Sequence, residues 1–255
     1  MPYLADLYYQ AYHADDPNRE PLVLIHGAGG EHLSWPSQVR RLAGYRVFSL
    51  DLPGHGKSRR HGLQRISAYA EIVISWLNQL ELPRVFLCGH SMGGAIALWI
   101  AINYPERIQG LILIGTGARL PVNLTLIEDL MDANVYAATV ENICRWSFSV
   151  HADPRLVADV KKIMFKTRPS VLQGDFRACD AFNLSAQLEQ VQAPTLVVVG
   201  EQDKMTPLRF SEELEGGIQG ADLVILPQTG HMVPLEKPQS TADLIRTFLR
   251  KVPPY

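Results

Sequence analysis

Gly89-His90-Ser91-Met92-Gly93 spaces a serine between two glycines, and Gly94 follows. The bare pattern arises by chance in roughly one chain in ten of this length, so its surroundings must decide what it means. The apolar, strand-like run from Val85 to His90 leads straight into it, and a helical run from Met92 to Asn103 leads straight out. Strand, sharp turn and helix is the setting that exposes a nucleophilic serine at a sheet edge. So tight a turn brings neighbouring segments into contact, and the residues two before and two after the serine must lack bulk. Gly89 and Gly93 meet that demand. The Met92 N–H, in the first turn of the helix, then faces any negative charge that develops beside the serine.

A serine hydroxyl attacks a carbonyl only when a base takes its proton, and the base works best when a carboxylate fixes its tautomer. In this architecture the acid and then the base follow the serine along the chain. After Ser91 only His151 and His231 remain. His151 falls in an irregular stretch, whereas His231 follows the strand-like run Ala221 to Pro227 and a flexible Gly230, so His231 is the expected base. Asp203 stands beyond the strand-like run Pro194 to Gly200, just before a helical segment, and is the expected acid; Glu201 and Asp51 are its rivals. An Asp in that position also suits an Asx turn.

The oxyanion needs a second donor. His26-Gly27-Ala28-Gly29-Gly30 follows the strand-like run Pro21 to Ile25, and a glycine-rich loop lets backbone N–H groups come close to a ligand. Ala28 is the expected donor, with Gly27 and Gly29 as neighbouring candidates, while His26 is expected to fix the loop. Neither phosphate-binding glycine pattern is present, nor is HExxH or another metal-ligand spacing. No cofactor and no metal is therefore expected. Asp51-Leu52-Pro53-Gly54-His55-Gly56-Lys57-Ser58 reads as a structured turn.

These residues need elements to hold them. The six strand-like runs begin at Pro21, Tyr45, Val85, Ile108, Pro194 and Ala221, with helix candidates at 34–42, 67–80, 92–103, 207–218 and 240–249. Alternation of that kind implies a mostly parallel sheet covered on both faces, and residues 7–13 could add one or two antiparallel edge strands. From about 119 to 190 the rhythm stops. This long, aromatic-bearing stretch reads as a helical insertion above the strand ends, within a single 1–255 domain. Gly27, Gly29, Trp35, Trp146 and Met205 are the candidate pocket residues.

The chain has 255 residues, 24 Lys+Arg against 26 Asp+Glu, and 47% hydrophobic residues. Such a chain can bury a core without disulfide or metal support, and its near-neutral charge argues against nucleic acid as a partner. The one basic cluster, Arg59-Arg60-His61, reads as a solvated loop. No apolar stretch reaches the roughly 20 residues of a membrane span, and Met1 to Tyr9 lacks a secretory-signal pattern. A cytoplasmic location is the default expectation. Cys88, Cys144 and Cys179 form no CxxC pair, and Cys88 reads as core.

HGAGG at 26–30, DLPGHGKS at 51–58, GHSMGG at 89–94, GEQDKMTP at 200–207 and GHMVPLEKP at 230–238 together resemble the α/β-hydrolase fold family, in the family's order. The resemblance implies an eight-stranded, mostly parallel sheet, a helical cap over about 119–190, a triad of Ser91, Asp203 and His231, and an oxyanion hole from the Ala28 and Met92 amides. Ser91 stands where dehalogenating and epoxide-opening members carry aspartate. Met232 stands where hydroxynitrile lyases commonly carry lysine and ring-fission C–C hydrolases tryptophan. The GHSMGG turn is most similar to that of carboxylesterases and monoacylglycerol lipases. The implied activity is hydrolysis of small-molecule carboxylic esters of short to medium acyl chain. Thioester, enol-lactone, C–C and perhydrolase chemistry are the alternatives, and a non-catalytic ligand receptor is a further one.

Overall fold

The computed structural model describes residues 3–4 and 6–253; Met1, Pro2 and Ala5 of the amino-terminal stretch read above for signal character, and the last two residues, lie outside the described residues. Eight strands form one sheet: β1 (Tyr3–Leu4), β2 (Leu7–Tyr12), β3 (Pro21–Ile25), β4 (Arg46–Leu50), β5 (Val85–His90), β6 (Ile108–Ile114), β7 (Thr195–Gly200) and β8 (Asp222–Leu226). Their spatial order is β1-β2-β4-β3-β5-β6-β7-β8. β1 and β2 are antiparallel, and β3 to β8 run parallel. Every residue of β3, β5, β6 and β7 is buried, which is why these strands read as unbroken apolar runs rather than alternating ones.

Helices cover both faces: α1 (Ser37–Arg40), α2 (Ile66–Gln79), α3 (Met92–Asn103), α8 (Arg209–Gly217), α9 (Val233–Glu236) and α10 (Pro238–Lys251). Alternate residues of each strand feed two cores. Val23, Ile25, Leu87 and Leu113 pack with α2 and α3, while Leu22, Leu24, Cys88 and Ile112 pack with α1 and α10. α3 is apolar on all sides and almost wholly buried, as a helix without a polar stripe must be.

The helix expected over 34–42 is broken. A 3-10 turn, His32–Ser34, precedes α1, and Trp35 between them is extended at φ −93, ψ 131. Pro36 is the cause, because the residue before a proline is driven out of the helical region.

Between β6 and β7 the chain forms α4 (Leu124–Asp129), α5 (Tyr136–Ser147), α6 (Pro154–Lys166), α7 (Pro169–Asp180) and a 3-10 turn at Ser185–Gln190. An antiparallel bridge between Arg119 and Asn183 joins the two ends of this insertion. It has an apolar centre of its own, including Ile127, Leu130, Val140, Ile143, Met164 and Phe176. Among the described residues no helix is long and apolar enough to cross a membrane.

β4 and β5 lie on opposite sides of β3, so the chain direction across the sheet reverses there. The crevice at the carboxyl ends of β3 and β5 is where ligands bind in open parallel sheets. Register places Ile25 beside Gly89, which brings the loop after β3 next to the turn after β5.

Candidate active site

Ser91 sits on the turn between β5 and α3 at φ 54, ψ −122, a region that a serine occupies only under constraint. Its own amide donates to Ile114 O at 2.9 Å, and Thr116 Oγ1 donates to Ser91 O at 2.9 Å. The flanking glycines are dictated by contact: a Cβ on Gly89 would lie 2.1 Å from Gly93 O, and one on Gly93 2.2 Å from Ile25 O.

His231, in the loop between β8 and α9, is 4% exposed and pairs through Nδ1 with Asp203 Oδ2 at 2.9 Å. Asp203 follows β7 and divides its two oxygens. Oδ1 accepts the Met205 and Thr206 N–H groups at 2.9 and 2.8 Å, and Oδ2 accepts the Thr206 hydroxyl at 2.8 Å beside the imidazole. The Asx turn and the imidazole partner are thus properties of one carboxylate. Burial alone would raise the Asp203 carboxyl; the His231 imidazole and the bonds from His231 and Thr206 outweigh it and hold the group below its ordinary value. Gly115, at the end of β6, leaves the room: a Cβ there would stand 3.2 Å from His231 O and 3.5 Å from Asp203 Oδ2.

The rival acids have other work. Glu201 is exposed and accepts the Gln228 N–H at 3.0 Å. Asp51 is fully buried and takes the N–H and Nδ1 of His32 at 2.6 and 2.8 Å and the Lys57 N–H at 2.8 Å, so the 51–58 turn is built around it. His151 is exposed.

Residues 27–30 form a tight turn closed by Gly30 N–H to Gly27 O at 3.1 Å, with Gly29 at φ 63. His26 holds the loop: Nδ1 donates to Gly27 O at 2.8 Å, and Nε2 accepts the Leu52 N–H at 3.0 Å. That pattern requires a neutral ring, and burial depresses the His26 pKa to about 4. Gly29 N–H is already engaged by Asp175 Oδ2 at 3.0 Å. Among the described residues no protein acceptor takes the N–H of Ala28 or Met92, so of the three loop candidates Ala28 retains a free donor where Gly29 does not.

Ser91 and His231 open into one cavity of about 230 Å³, which Gly27, Ala28, Gly29, Trp146 and Met205 also line. Its upper wall comes from the insertion, with Leu126, Ile143, Val160, Met164 and Phe176. Lys204 is the one side chain bearing a full charge among these lining residues. The Ser91 hydroxyl makes no hydrogen bond among the described residues; hydroxyl and imidazole share the cavity with the ring's Nε2 unclaimed.

Trp35 is a correction. It is 1% exposed and packs in the α1–α10 core, T-shaped to His90 at 6.5 Å between ring centroids, and it does not line the cavity. Pro36 turns it down against the sheet instead of up to the rim.

Sequence reasoning passed over Thr206, Thr116 and His90. Thr206 lies three residues after Asp203, the spacing at which a hydroxyl can return to a turn carboxylate. His90 donates from Nε2 to His231 O at 2.9 Å, and burial lowers its pKa to about 3, so it braces the His231 loop as a neutral ring.

Comparison with known proteins places this arrangement. The chain is 31% identical, over 91% of its length, to the dihydrolipoyllysine-residue acetyltransferase component of an acetoin cleaving system from Pseudomonas putida, of which it spans 64%. It is 29% identical to a 2-hydroxy-6-oxononadienedioate/2-hydroxy-6-oxononatrienedioate hydrolase from Klebsiella pneumoniae, covering 91% of this chain and 88% of that one. It is also 29% identical to a pimeloyl-[acyl-carrier protein] methyl ester esterase from Nitrosomonas europaea, covering 87% and 92%. The enol-lactonase of Burkholderia xenovorans LB400 shares the fold at a TM-score of 0.90, with 24% identity over 96% of both chains. A family model described as the alpha/beta hydrolase fold matches residues 20–238, and with the sheet, the turn after β5 and the loop order all in agreement, the chain belongs to the alpha/beta hydrolase fold family.

Proposed function

We propose that the protein is a serine hydrolase of small carboxylic esters, with Ser91 as nucleophile, His231 as base, Asp203 as its orienting acid, and the Ala28 and Met92 amides as oxyanion donors. The observation that carries this is the orientation of His231: Asp203 occupies Nδ1, and the free Nε2 belongs to a ring that lines the same cavity as Ser91. Rotation of the Ser91 side chain brings its hydroxyl to Nε2, a closure common when substrate enters a free site. Ser91 Oγ then bonds to the ester carbonyl carbon while its proton passes to His231. The tetrahedral oxyanion is held by the two N–H groups. Its collapse breaks the ester C–O bond, and His231 returns the proton to the departing alcohol. Water, deprotonated by His231, attacks the acyl-enzyme and regenerates Ser91.

The helical insertion serves as a cap. It supplies the apolar wall, and a cavity of about 230 Å³ is below the roughly 300–1,000 Å³ of drug-sized sites, which favours short to medium acyl chains. The esterase relative supports ester chemistry, and thioesters and lactones react through the same acyl-enzyme.

The test is a panel of p-nitrophenyl esters of graded chain length, beside lactones and thioesters, with wild type and Ser91→Ala. Wild type is expected to label with a fluorophosphonate and to turn over the shorter esters fastest, and Ser91→Ala to do neither while keeping its melting temperature. Labelling or turnover that survives Ser91→Ala overturns the assignment. Absent turnover with ligand-induced stabilisation favours a receptor.

A further inference from the structure

Asp175 lies on α7, in the insertion, and is 0% exposed. It does not line the cavity, yet three donors from the body of the protein converge on it. Gly29 N–H reaches Oδ2 at 3.0 Å, His55 Nε2 reaches the same oxygen at 2.7 Å, and the Tyr69 hydroxyl reaches Oδ1 at 2.7 Å. Tyr69 OH in turn accepts the Leu63 N–H at 2.9 Å, so its proton must point at the carboxylate. One side chain therefore ties the insertion to the loop after β3, to the 51–58 turn and to α2.

The proton count of the pair follows from its neighbours. His55 Nδ1 faces Pro53 O at 3.0 Å, an atom that can only accept, and Nε2 faces a carboxylate oxygen that already accepts from Gly29. Both ring nitrogens donate, so the ring is an imidazolium and the buried pair is neutral as a whole, the condition under which such charges are tolerated in an interior. Burial alone would lower the His55 pKa; the attraction and hydrogen bond of Asp175 outweigh it, helped by Pro53 O and the charge of Asp51, and the group lies above its ordinary value. The other groups near the ring are His26, at 4.9 Å between centroids and neutral, and Tyr69 and Cys179 beside Asp175, both pushed up by burial and the Asp175 charge.

We infer that Asp175 is a positioning residue: it aims the oxyanion loop by holding the Gly29 N–H, and so makes seating of the insertion a condition for activity, with protonated His55 as its counter-ion. Gly29 is the third residue of the four-residue turn 27–30, and the peptide joining it to Ala28 is the one whose orientation distinguishes the common turn types, so what holds the Gly29 N–H fixes that orientation. Three further contacts of the insertion converge there: Thr167 Oγ1 stands 3.5 Å from Gly29 O, and a Cβ on Gly29 would meet Leu172 at 2.8 Å and Met164 at 3.2 Å. The device is linked to pH. A group whose folded pKa is raised gives stability that is complete below its unfolded value and is lost as pH rises through the folded value. Above that point the ring keeps its Nε2 proton toward the carboxylate, but Nδ1 turns a lone pair on Pro53 O and the Asp175 charge loses its buried counter-ion, so α7 and the loop loosen together.

The role rests on the ester-hydrolase reading, but its test does not. Hydrogen exchange of residues 27–30 and of α7 is followed from pH 6 upward in wild type, Ser91→Ala, Asp175→Asn and Tyr69→Phe, corrected for intrinsic exchange, beside kcat and KM for the best ester. In wild type and Ser91→Ala both segments are expected to lose protection together as pH rises. In Asp175→Asn, residues 27–30 lose protection at every pH, kcat falls about 10- to 100-fold, a fraction of a lost oxyanion donor's effect, and KM stays within about two-fold. Tyr69→Phe keeps the Gly29 bond, so it lowers the melting temperature with kcat within about two-fold. Wild-type kcat in folded Asp175→Asn overturns the inference, as does a kcat loss in Tyr69→Phe as large as that in Asp175→Asn. If Asp175→Asn does not fold, wild-type exchange decides: protection of 27–30 and α7 that is independent of pH, or lost separately, overturns it. If Ser91→Ala keeps its ester turnover, the hydrolase reading falls while the exchange result stands.

Discussion

Gly89→Ala tests whether the turn that carries Ser91 is set by contact. A Cβ at Gly89 would lie 2.1 Å from Gly93 O, 2.4 Å from Gly93 C and 2.5 Å from Gly94 N, more than about 1 Å inside ordinary van der Waals separation. All three atoms are backbone in the first turn of α3, so no side chain can step aside. Nor can the helix end retreat freely, because a Cβ on Gly93 would itself stand 2.2 Å from Ile25 O, which shows how closely β3 backs that turn. Overpacking costs about 1–3 kcal/mol where side chains can adjust; with backbone on both sides the upper end applies, about 3 kcal/mol. In a chain of this size that lowers Tm by roughly 6–12 °C. Opening the turn by about 1 Å moves Ser91 away from His231 and both amides, and a displacement of that size costs roughly 100-fold in rate. Differential scanning calorimetry and the second-order rate of fluorophosphonate labelling measure the two effects. Gly216→Ala is the control: among the described residues nothing lies within 4 Å of a Cβ at that position on α8, and replacing a helical glycine is expected to add about 0.5–1 kcal/mol. Gly89→Ala that melts within 2 °C (roughly 1 kcal/mol) of wild type and labels at the wild-type rate would refute the steric account.

Asp203→Asn keeps the shape but offers His231 an amide in place of a carboxylate; kcat on the best ester is expected to fall about 10³- to 10⁴-fold, with far-ultraviolet circular dichroism unchanged. Asp51 is held below its ordinary carboxyl value of 3.8 because, against the effect of burial, the His32 and Lys57 bonds prevail. A depressed pKa gives stability present above the unfolded value and lost as pH falls through the folded one, so urea denaturation from pH 6 down to about pH 2, a span bracketing the carboxyl range, should show a shallower acid decline in Asp51→Asn than in wild type. Trp35 Nε1 is buried without a partner among the described residues, so Trp35→Phe removes an unsatisfied donor as it loses ring area, and denaturation should place it within about 1 kcal/mol of wild type, against about 3–5 for Trp35→Ala. Since Trp35 is outside the cavity, the ester chain-length profile of Trp35→Phe should not change.

What could be read from sequence divides by the distance over which each feature is decided. The central strands, α3 and the turn at Ser91 follow from short-range patterns, apolar runs flanked by glycines, and Val85–His90 and Met92–Asn103 fall where the periodicity predicts. The pairing of His231 with Asp203 was legible because each lies in the loop that follows a strand of the parallel sheet, so chain position implies the rim. Asp175 was not. It lies 146 residues from Gly29 along the chain, on a helix whose Arg177 and Asp180 are the charges of a solvated face, and nothing local distinguishes a carboxylate buried under the insertion from one in water. Trp35 fails for a related reason: an aromatic after a glycine loop suits a pocket wall, but Pro36 redirects the chain, and the direction a side chain takes after such a turn depends on packing with α10 that no local pattern encodes.

The rim also shows why residue type alone cannot assign a base. Three buried histidines there pair with aspartates: His32 with Asp51 at 2.8 Å, His55 with Asp175 at 2.7 Å and His231 with Asp203 at 2.9 Å. Burial and an acidic partner do not separate them; the rest of each pair's surroundings does. Asp51 is spent on backbone N–H groups of His32 and Lys57, so that pair closes a turn. His55 donates from both nitrogens, leaving no lone pair to accept a proton. In His231 alone of the three does the ring line the cavity beside Ser91 while the carboxylate claims only the far nitrogen. A base must have an unoccupied lone pair facing its substrate, and it is that condition, set by where the second ring nitrogen points, on which the proposed mechanism takes His231 from three chemically similar pairs.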